Sequence, residues 1–399
     1  MSWPEVKLSD IFDISSSKRV HQHEWREKGI PFYRAREIVS LARDGYVNND
    51  LYIDESLYEE YSRKYGTPKE GDLLISAVGT LGKTYAVKTG DRFYFKDASV
   101  IWLKKKADVD TAFIQYALKT DSVQSYIQNY SGATVGTYTI SKAKKTEIPL
   151  PPLLIQKHIA ATLEKADTLR SQCRQMEQEL NQLAQSVFLE MFGDPVKNPK
   201  GWKIASLGEL ASKITDGTHK TPTYTESGVK FLSAKNISSG SVDWENTKFI
   251  SEQEHNELIR RCNPEVGDVL LAKSGTIGVA AIIDKNFEFS LFESAALIKY
   301  ERSKIVGEYL LYLLNSKNIK QVYAQRTKGN SIRHLHLVDI RSLNIPVPPL
   351  ELQKIFCEKI NKINLAKETE VTKSGNVKEL FNSLMQRAFK GELSFSEAA

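Results

Sequence analysis

The chain has 399 residues, of which 41% are hydrophobic and 26% charged, a composition that excludes disordered, collagen-like and disulfide-rich proteins. A net charge of +6 is compatible with nucleic-acid binding but does not establish it. No apolar run approaches the ~20 residues of a membrane-spanning helix, and the first residues do not resemble a signal peptide. Cys173, Cys262 and Cys357 form neither a metal-ligand spacing nor a disulfide framework. We therefore expect a cytoplasmic protein of about two to three domains, without a membrane segment or a metal site.

The first half of the chain opens with Trp3 and Leu8 and continues as short apolar runs separated by glycine and asparagine turn signals. Runs such as residues 72–76 are typical of strands. Apolar residues at helical spacing predict one helix over residues 111–124. An Ile-Pro-x-Pro-Pro-Leu block at 148–153 follows, and its prolines suit a helix start because the first helical turn tolerates proline.

The second half repeats these features in the same order, beginning with Trp202 and Leu207. The matching blocks are residues 30–38 with 229–237, 71–82 with 267–278, and 148–153 with 345–350. The repeat predicts a strand at residues 269–272 and a helix at 304–323. Several blocks in one order indicate a tandem duplication. The predicted fold class is α+β: two copies of a strand-rich domain, each followed by a long helix.

Both long helices carry apolar residues at alternating steps of three and four, which is the heptad seam of helices paired along their length. The first helix is predicted to end near residue 192, where Gly193 and Pro195 supply a stop. The residues expected to make the pairing contacts are Leu169, Met176, Leu180 and Leu183 in the first helix and Ile360, Ile363, Leu380 and Leu384 in the second.

The two seams are expected to pack on each other within one chain, although the same pattern would also serve pairing with a second copy or with another protein. The polar stretch at residues 372–376 weakens the second seam and contains Gly375. Glycine costs about 1 kcal/mol relative to alanine inside a helix. We therefore expect a kink or local break at this point.

A relaxed phosphate-loop pattern occupies residues 77–84 and ends in Lys83 and Thr84. A true loop of this kind binds nucleotide phosphates with backbone amides and a lysine at a helix start. The second repeat keeps the glycines but has Val279 in place of the lysine, and the residues after Thr84 favour a strand. A tight turn between strands is the preferred interpretation, with a nucleotide-hydrolysing enzyme as an alternative.

No convincing active site is found elsewhere in the sequence. The histidine pairs His21/His23 and His334/His336 would each share one face of a strand, but neither has a third metal ligand nearby. A nucleophile elbow, a dinucleotide fingerprint and an amino-methyltransferase motif are all missing from the sequence. We predict no catalytic residues and no metal ligands.

Basic and amide residues instead cluster in turn-rich segments at matching places in both halves. Such side chains bind phosphates and base edges. Their identities differ between the halves, which suggests two related surfaces that recognise different things. The candidate DNA-binding residues are Lys18, Arg19, His21, His23, Arg34, Arg36, Lys83, Thr84, Tyr138 and Lys142 in the first half, and Thr218, His219, Lys220, Lys235, Asn236, Lys273, Ser274, Arg326, Lys328, Asn330, Arg333 and His334 in the second.

With these features the whole chain resembles the specificity subunit of type I restriction–modification systems. The resemblance rests on the Trp/Leu openings, the Thr-Asp-Gly-Thr-His run at 215–219, both Gly-Asp…Gly-Thr-x-Gly blocks, and the Pro-Pro blocks that lead into each long helix with Gln-Lys. It implies target-recognition domains at 1–150 and 194–346 and spacer helices at 151–193 and 347–399, which would pair as an antiparallel coiled coil.

The resemblance also implies a non-catalytic role. Each domain would bind one half of a split, asymmetric site in double-stranded DNA. Two methyltransferase subunits, carrying S-adenosylmethionine, would methylate adenine, and restriction and translocase subunits using ATP and Mg would cleave unmodified DNA. No cofactor is expected in this chain itself. A duplicated scaffold that binds only proteins remains the other alternative, and it predicts no salt-dependent affinity for DNA.

Overall fold

The structure is a computed structural model that describes residues 3–129, 136–326 and 334–393. It divides into two compact units. Unit 1 comprises Met1–Arg174 and Thr372–Ala399, and unit 2 comprises Gln175–Val371. Within the described residues, no helix is long and apolar enough to cross a membrane.

Unit 1 is built from short strands and helices that precede the first long helix. The strands are β1 Glu5–Lys7, β2 Phe12–Ser15, β3 Trp25–Arg26, β4 Ile30–Tyr33, β5 Tyr52–Ile53, β6 Leu73–Ser76, β7 Thr84–Ala86, β8 Tyr94–Phe95, β9 Val100–Lys105 and β10 Glu147–Pro149. The helices are α1 Leu8–Ile11, α2 Ala35–Asp44, α3 Glu55–Tyr65, α4 Thr111–Ala117, α5 Asp121–Gln128 and α6 Ile140–Lys145, with a 3-10 turn at Gln22–Glu24. The long helix α7, Leu153–Phe192, begins in unit 1 and ends in unit 2.

Unit 2 repeats this plan. The strands are β11 Lys203–Ser206, β12 Ala211–Asp216, β13 Val229–Leu232, β14 Lys248–Ile250, β15 Val269–Ala272, β16 Ala280–Ile282, β17 Phe289–Leu291, β18 Ala295–Tyr300 and β19 Asn344–Val347. The helices are α8 Leu207–Leu210, α9 Glu252–Leu258, α10 Gly307–Asn315, α11 Lys317–Arg326 and α12 Leu337–Arg341, with a 3-10 turn at Ala234–Ile237. The second long helix, α13 Leu350–Lys390, begins in unit 2 and ends in unit 1.

The sheets show the duplication directly. Unit 1 has a four-stranded antiparallel sheet in the order β2-β9-β6-β7, and unit 2 has the equivalent sheet in the order β12-β18-β15-β16. A second sheet in each unit contains a parallel pair, β4 with β8 and β13 with β17. The predicted α+β duplication is therefore confirmed, including the strand at residues 269–272.

The central strands are buried on both faces, which explains their unbroken apolar sequence. In β6, Leu73 and Ile75 face a core that also holds Phe113 and Leu163, while Leu74 faces the opposite way. Leu74 packs in a second core with Ile38 of α2. Helices on both sides of the sheet thus hold the loops at its edges in fixed positions.

Each long helix packs against part of the other. In unit 1, Leu163 of α7 shares a core with Phe381 of α13, and the guanidinium of Arg170 lies 4.3 Å from the Phe381 ring centroid. In unit 2, the rings of Phe188 of α7 and Phe356 of α13 are 5.7 Å apart. The early part of α7 thus meets the late part of α13, and the late part of α7 meets the early part of α13, as in an antiparallel pair.

The predicted seam is wrong at four of its positions. Leu169, Met176, Leu183 and Leu380 are 43–49% exposed, whereas Ile360 is buried and Leu180, Ile363 and Leu384 are half-buried. Cys173, another position of the predicted series, is buried. The core residues that the series did not include are Ala184 and Phe188 in α7 and Phe381 and Ala388 in α13. Two apolar series shifted by one residue have the same alternating spacing of three and four. The spacing alone therefore did not show which of two adjacent helix faces is buried.

Three predicted helix features also need correction. Helix α13 continues through Gly375 without the expected break. The two helices predicted within the domains are each two helices, α4 and α5 in unit 1 and α10 and α11 in unit 2. The chain is extended at Thr120 and Ser316, which occupy equivalent places in the repeat. Short hydroxyl side chains favour helix ends over helix interiors.

Candidate nucleic-acid interface

Unit 2 has a cleft of about 610 Å³, here called cleft 2, between the segment that follows β13 and the Gly-Thr turn that follows β15. Lys235, Asn236 and Ser274, three residues singled out in the sequence, lie together in this cleft. They come from segments about 40 residues apart in the chain, which follow strands of two different sheets of unit 2.

Unit 1 has a cleft of about 580 Å³, here called cleft 1, at the equivalent place. Its walls are the segment that follows β4, with Arg34 and Arg36, and the Gly-Thr turn that follows β6, with Gly79 and Thr80. The same two loops of the duplicated fold therefore form a cleft in each unit. The side chains differ, as the divergent loop sequences predicted.

Among the residues that the structure describes, neither cleft is lined by a carboxylate, although the chain contains 49 acidic residues. Lysine or arginine lines both, together with serine, threonine and backbone groups. Such surfaces attract phosphates and offer hydrogen bonds to base edges. The clefts are thus suited to a polyanion with hydrogen-bonding groups.

In cleft 1 the two arginines are held by carboxylates outside the lining. Arg34 donates to Glu37 at 3.0 Å and to Asp50 at 2.9 Å, and Arg36 donates to both carboxylates as well. Burial of the Glu37 carboxyl raises its pKa, but hydrogen bonds from Arg34 and Arg36 outweigh this effect and the pKa is lowered. Asp50 is exposed, and its hydrogen bonds from Arg36 lower its pKa.

In cleft 2 only part of the predicted set is free to contact a ligand. Lys235 is exposed, but Asn236 is buried and its amide is used internally. The Asn236 side chain accepts from the Ser233 amide at 2.9 Å and donates to the Asn246 carbonyl at 3.0 Å. The side-chain amide of Asn236, a candidate DNA-binding group, is therefore engaged in shaping the loop.

The structure adds residues that the sequence analysis missed. Tyr224 lies in cleft 2, and the ammonium of Lys248 is 3.8 Å from the centroid of its ring. Lys96 lies in cleft 1. The three residues stand outside the blocks on which the repeat was recognised, and no local motif marked them. Only the packing of β14, and the turn after β8, brings them to the clefts.

Lys273 was predicted to read DNA but is buried in unit 2. Its ammonium lies 2.5 Å from the Asp216 carboxylate and 3.0 Å from the Glu293 carbonyl oxygen. Arg261 and His219 also reach Asp216, at 2.5 and 3.4 Å. Burial raises the pKa of Asp216, but the hydrogen bond from Lys273 and the neighbouring cations lower it overall. Lys273 therefore holds the Thr-Asp-Gly-Thr-His run in place.

Other candidates in unit 1 also have structural roles. Tyr138 is fully buried and its hydroxyl is 2.7 Å from that of Thr146. Lys142 donates to the carbonyl oxygens of Ile127 and Asn129. Thr84 is buried in β7, while Lys83 is exposed at the end of the turn. The segment 77–83 joins two strands, so the turn interpretation is confirmed and the helix start that a phosphate loop needs is lacking.

The remaining candidates lie outside the two clefts. In unit 1, Arg19 pairs with Asp97 at 3.0 Å and Lys18 lies 5.7 Å from the Tyr65 ring centroid. His21 and His23 are exposed and their rings stack 5.7 Å apart.

In unit 2, Lys220 and His219 are exposed, and Thr218 is half-buried where its backbone bridges to Phe292. Arg326 donates to Ser342 at 3.1 Å, and His334 lies 3.5 Å from Glu293. Lys328, Asn330 and Arg333 fall outside the described residues. Among residues 3–129, 136–326 and 334–393, no group of three potential ligands could hold a metal ion.

Comparisons with known proteins agree with the duplicated plan. A family model for the type I restriction modification DNA specificity domain matches residues 2–184 and 199–378. The type I restriction enzyme MjaVIII specificity subunit of Methanocaldococcus jannaschii is 23% identical, over 98% of this chain and 93% of that protein. The EcoBI specificity subunit of Escherichia coli is 20% identical, over 98% and 86%. The S subunit of M. genitalium has the same fold, with a TM-score of 0.58 at 15% identity over 99% of this chain and 97% of that one.

Proposed function

Because the chain belongs to the type I restriction–modification DNA specificity family, whose role is DNA sequence recognition, we propose that it reads a bipartite, asymmetric site in double-stranded DNA. Unit 1 reads one half-site through cleft 1, and unit 2 reads the other through cleft 2. The observation that carries this proposal is the pair of carboxylate-free clefts at equivalent places with different side chains.

The differences between the clefts account for an asymmetric site. Cleft 1 presents two guanidinium groups, and arginine is the side chain best matched to guanine edges and to phosphates. Cleft 2 presents two lysines, serine hydroxyls and the exposed ring of Tyr224. One scaffold that occurs twice, with different hydrogen-bond donors in each copy, recognises two different short sequences at a fixed spacing.

The chain directs chemistry that partner subunits perform. Specificity subunits are generally non-catalytic, and we propose that this chain likewise has no catalytic role of its own. Two methyltransferase subunits with S-adenosylmethionine would methylate adenine within the site. Restriction subunits with ATP and Mg would cleave unmodified DNA. Leu169, Met176 and Leu183 lie seven residues apart on one face of α7 and are exposed, which suits a surface for a partner helix.

Adenine-methylation mapping by long-read sequencing tests this proposal. Cells would express the chain with its methyltransferase partner, and a control would omit the chain. The expected result is a split asymmetric motif that is methylated only when the chain is present. The absence of chain-dependent methylation, despite a formed complex, would instead favour a scaffold that binds only proteins.

Variants assign the half-sites. We expect Arg36→Ala to alter or abolish recognition at one half-site and Lys235→Ala at the other. The matched controls are Arg43→Ala, on the same helix as Arg36 but outside cleft 1, and Lys285→Ala, at an exposed turn of unit 2. Both controls should leave the motif unchanged. A change at both half-sites from one cleft variant would contradict the modular assignment.

A further inference from the structure

A second concave surface of unit 2, here called the lysine groove, lies next to cleft 2. It has a volume of about 640 Å³ and is bounded by residues of α7, α10, α11 and α13 and by the loop after β13. Ser238 lines both the groove and cleft 2, so the two cavities adjoin at this residue. A long ligand that leaves cleft 2 past Ser238 would meet the groove next.

The charge of the groove is one-sided. Lys320 of α11 and Lys367 of α13 are half-buried in its wall, and its lining contains no aspartate or glutamate. Within the part of the chain that the structure describes, neither ammonium has a carboxylate within ion-pair distance. Burial lowers the pKa of both lysines, and no acidic neighbour opposes that effect. Two desolvated cations without counter-charges favour an anionic ligand.

The rest of the lining suits an anion with oxygen acceptors. Asn181 and Gln185 of α7 contribute amide groups, and the loop contributes the hydroxyls of Ser239 and Ser241. Amides, hydroxyls and lysines are common donors to DNA phosphates. None of the amide, hydroxyl and lysine groups named for the groove lines cleft 2. The groove therefore offers affinity without sequence information.

We propose that the lysine groove binds backbone phosphates of the DNA that continues from the half-site in cleft 2. This inference rests on the proposed function, because it assumes that DNA lies in cleft 2. The groove would hold the DNA on the side of the long helices and contribute to binding of every sequence equally. DNA is favoured over an acidic protein segment because the groove adjoins the proposed reading cleft at Ser238.

The test is the salt dependence of DNA binding by the full chain. Each phosphate contact contributes a slope of about 0.9 in log K against log [salt]. For Lys320→Gln/Lys367→Gln we expect the slope to fall by about 1.8, so that a fourfold rise in salt weakens binding about tenfold less than in the wild type. This decrease in slope should be the same for a cognate duplex and for an unrelated duplex.

Matched variants separate charge at the groove from charge in general. Lys317→Gln/Lys354→Gln removes the same charge from the same two helices at exposed positions outside the groove, and it should keep the wild-type slope. Ser239→Glu adds a negative charge at the exposed loop without removing a half-buried lysine, and it should weaken binding to both duplexes. Lys320→Arg/Lys367→Arg should preserve the slope.

The outcomes are distinct. A wild-type chain without salt-dependent DNA binding would overturn the proposed function itself. If the wild-type chain shows a clear salt slope and the groove variant and the control variant show the same slope, only the groove proposal is overturned. Loss of methyltransferase assembly with an unchanged DNA slope would also overturn it, since the groove would then receive an acidic protein segment.

Discussion

The indole nitrogen of Trp3 donates to the carbonyl oxygen of Ala388 at 2.9 Å, which joins the start of the chain to the last turn of α13. The second repeat has the same relationship, because Trp202 donates to the carbonyl of Phe192 in the last turn of α7 at 2.9 Å. Carbonyls in the last turn of a helix lack helical partners. Each repeat thus opens with a residue that completes the end of a long helix.

We predict that Trp3→Phe and Trp202→Phe each reduce the free energy of unfolding by about 1 kcal/mol, the net value of one hydrogen bond. Phenylalanine keeps most of the ring packing and removes only the donor. Chemical denaturation of the full chain measures the effect. Equal stability of both variants and the wild type would show that the indole donors contribute nothing.

The corrected seam predicts a large contrast on one helix. Phe188→Ala should cost about 3–5 kcal/mol, because the ring is fully buried among aromatic residues of unit 2. Leu183→Ala should change stability by no more than about 0.5 kcal/mol, because Leu183 is 47% exposed. Thermal or denaturant unfolding distinguishes them. A larger cost at Leu183 would restore the face predicted from the heptad spacing.

The buried ion pair of unit 2 is expected to be costly to break. Lys273→Met removes the buried ammonium that balances the negative charge of the buried Asp216 carboxylate. It should therefore destabilise unit 2 by about 3 kcal/mol. Lys220→Met, which removes an exposed lysine from the neighbouring loop, is the control and should have little effect. If Lys273 contacted DNA directly, the variant would instead fold normally and lose affinity.

Asp50 limits the availability of the arginines in cleft 1. Asp50→Asn removes the exposed carboxylate that pairs with both Arg34 and Arg36, and it also removes a negative charge near the proposed DNA. We expect binding of any duplex to tighten about two- to fivefold at low salt. Asp44→Asn, which affects the pair with Arg43 on the same helix, should leave Kd unchanged. Weaker binding by Asp50→Asn would show that the pair positions the arginines.

Glu37 makes stability depend on acid pH. Its pKa in the folded chain lies below its ordinary value of 4.5, so the unfolded chain takes up the proton first as the pH falls. The stabilisation is present above that ordinary value and is lost as the pH falls through the lower folded value. Glu37→Gln should therefore show a smaller loss of stability than the wild type between about pH 5 and pH 3. Parallel pH profiles would contradict this assignment.

The sequence by itself determined the architecture. Turn signals and apolar periods predict local elements from neighbouring residues, and the duplicated blocks show that the same elements occur twice. The Gly-Thr turns and the segments after β4 and β13 were identified from the repeat, and they do form the clefts. Only the tertiary structure decided which of the candidate side chains are free to contact a ligand. Lys273 and Tyr138 have the polar groups of a binding residue, yet Asp216 engages the first from 57 residues away and Thr146 engages the second from eight residues away.

The helix seam shows the same division. Spacing of three and four established that α7 and α13 have an apolar face, but two faces one residue apart fit it equally well. The choice depended on which face meets Phe356 and Phe381, and these contacts join residues far apart in the chain. Local patterns fix which elements form, whereas the burial of each side chain depends on partners that the local sequence does not contain.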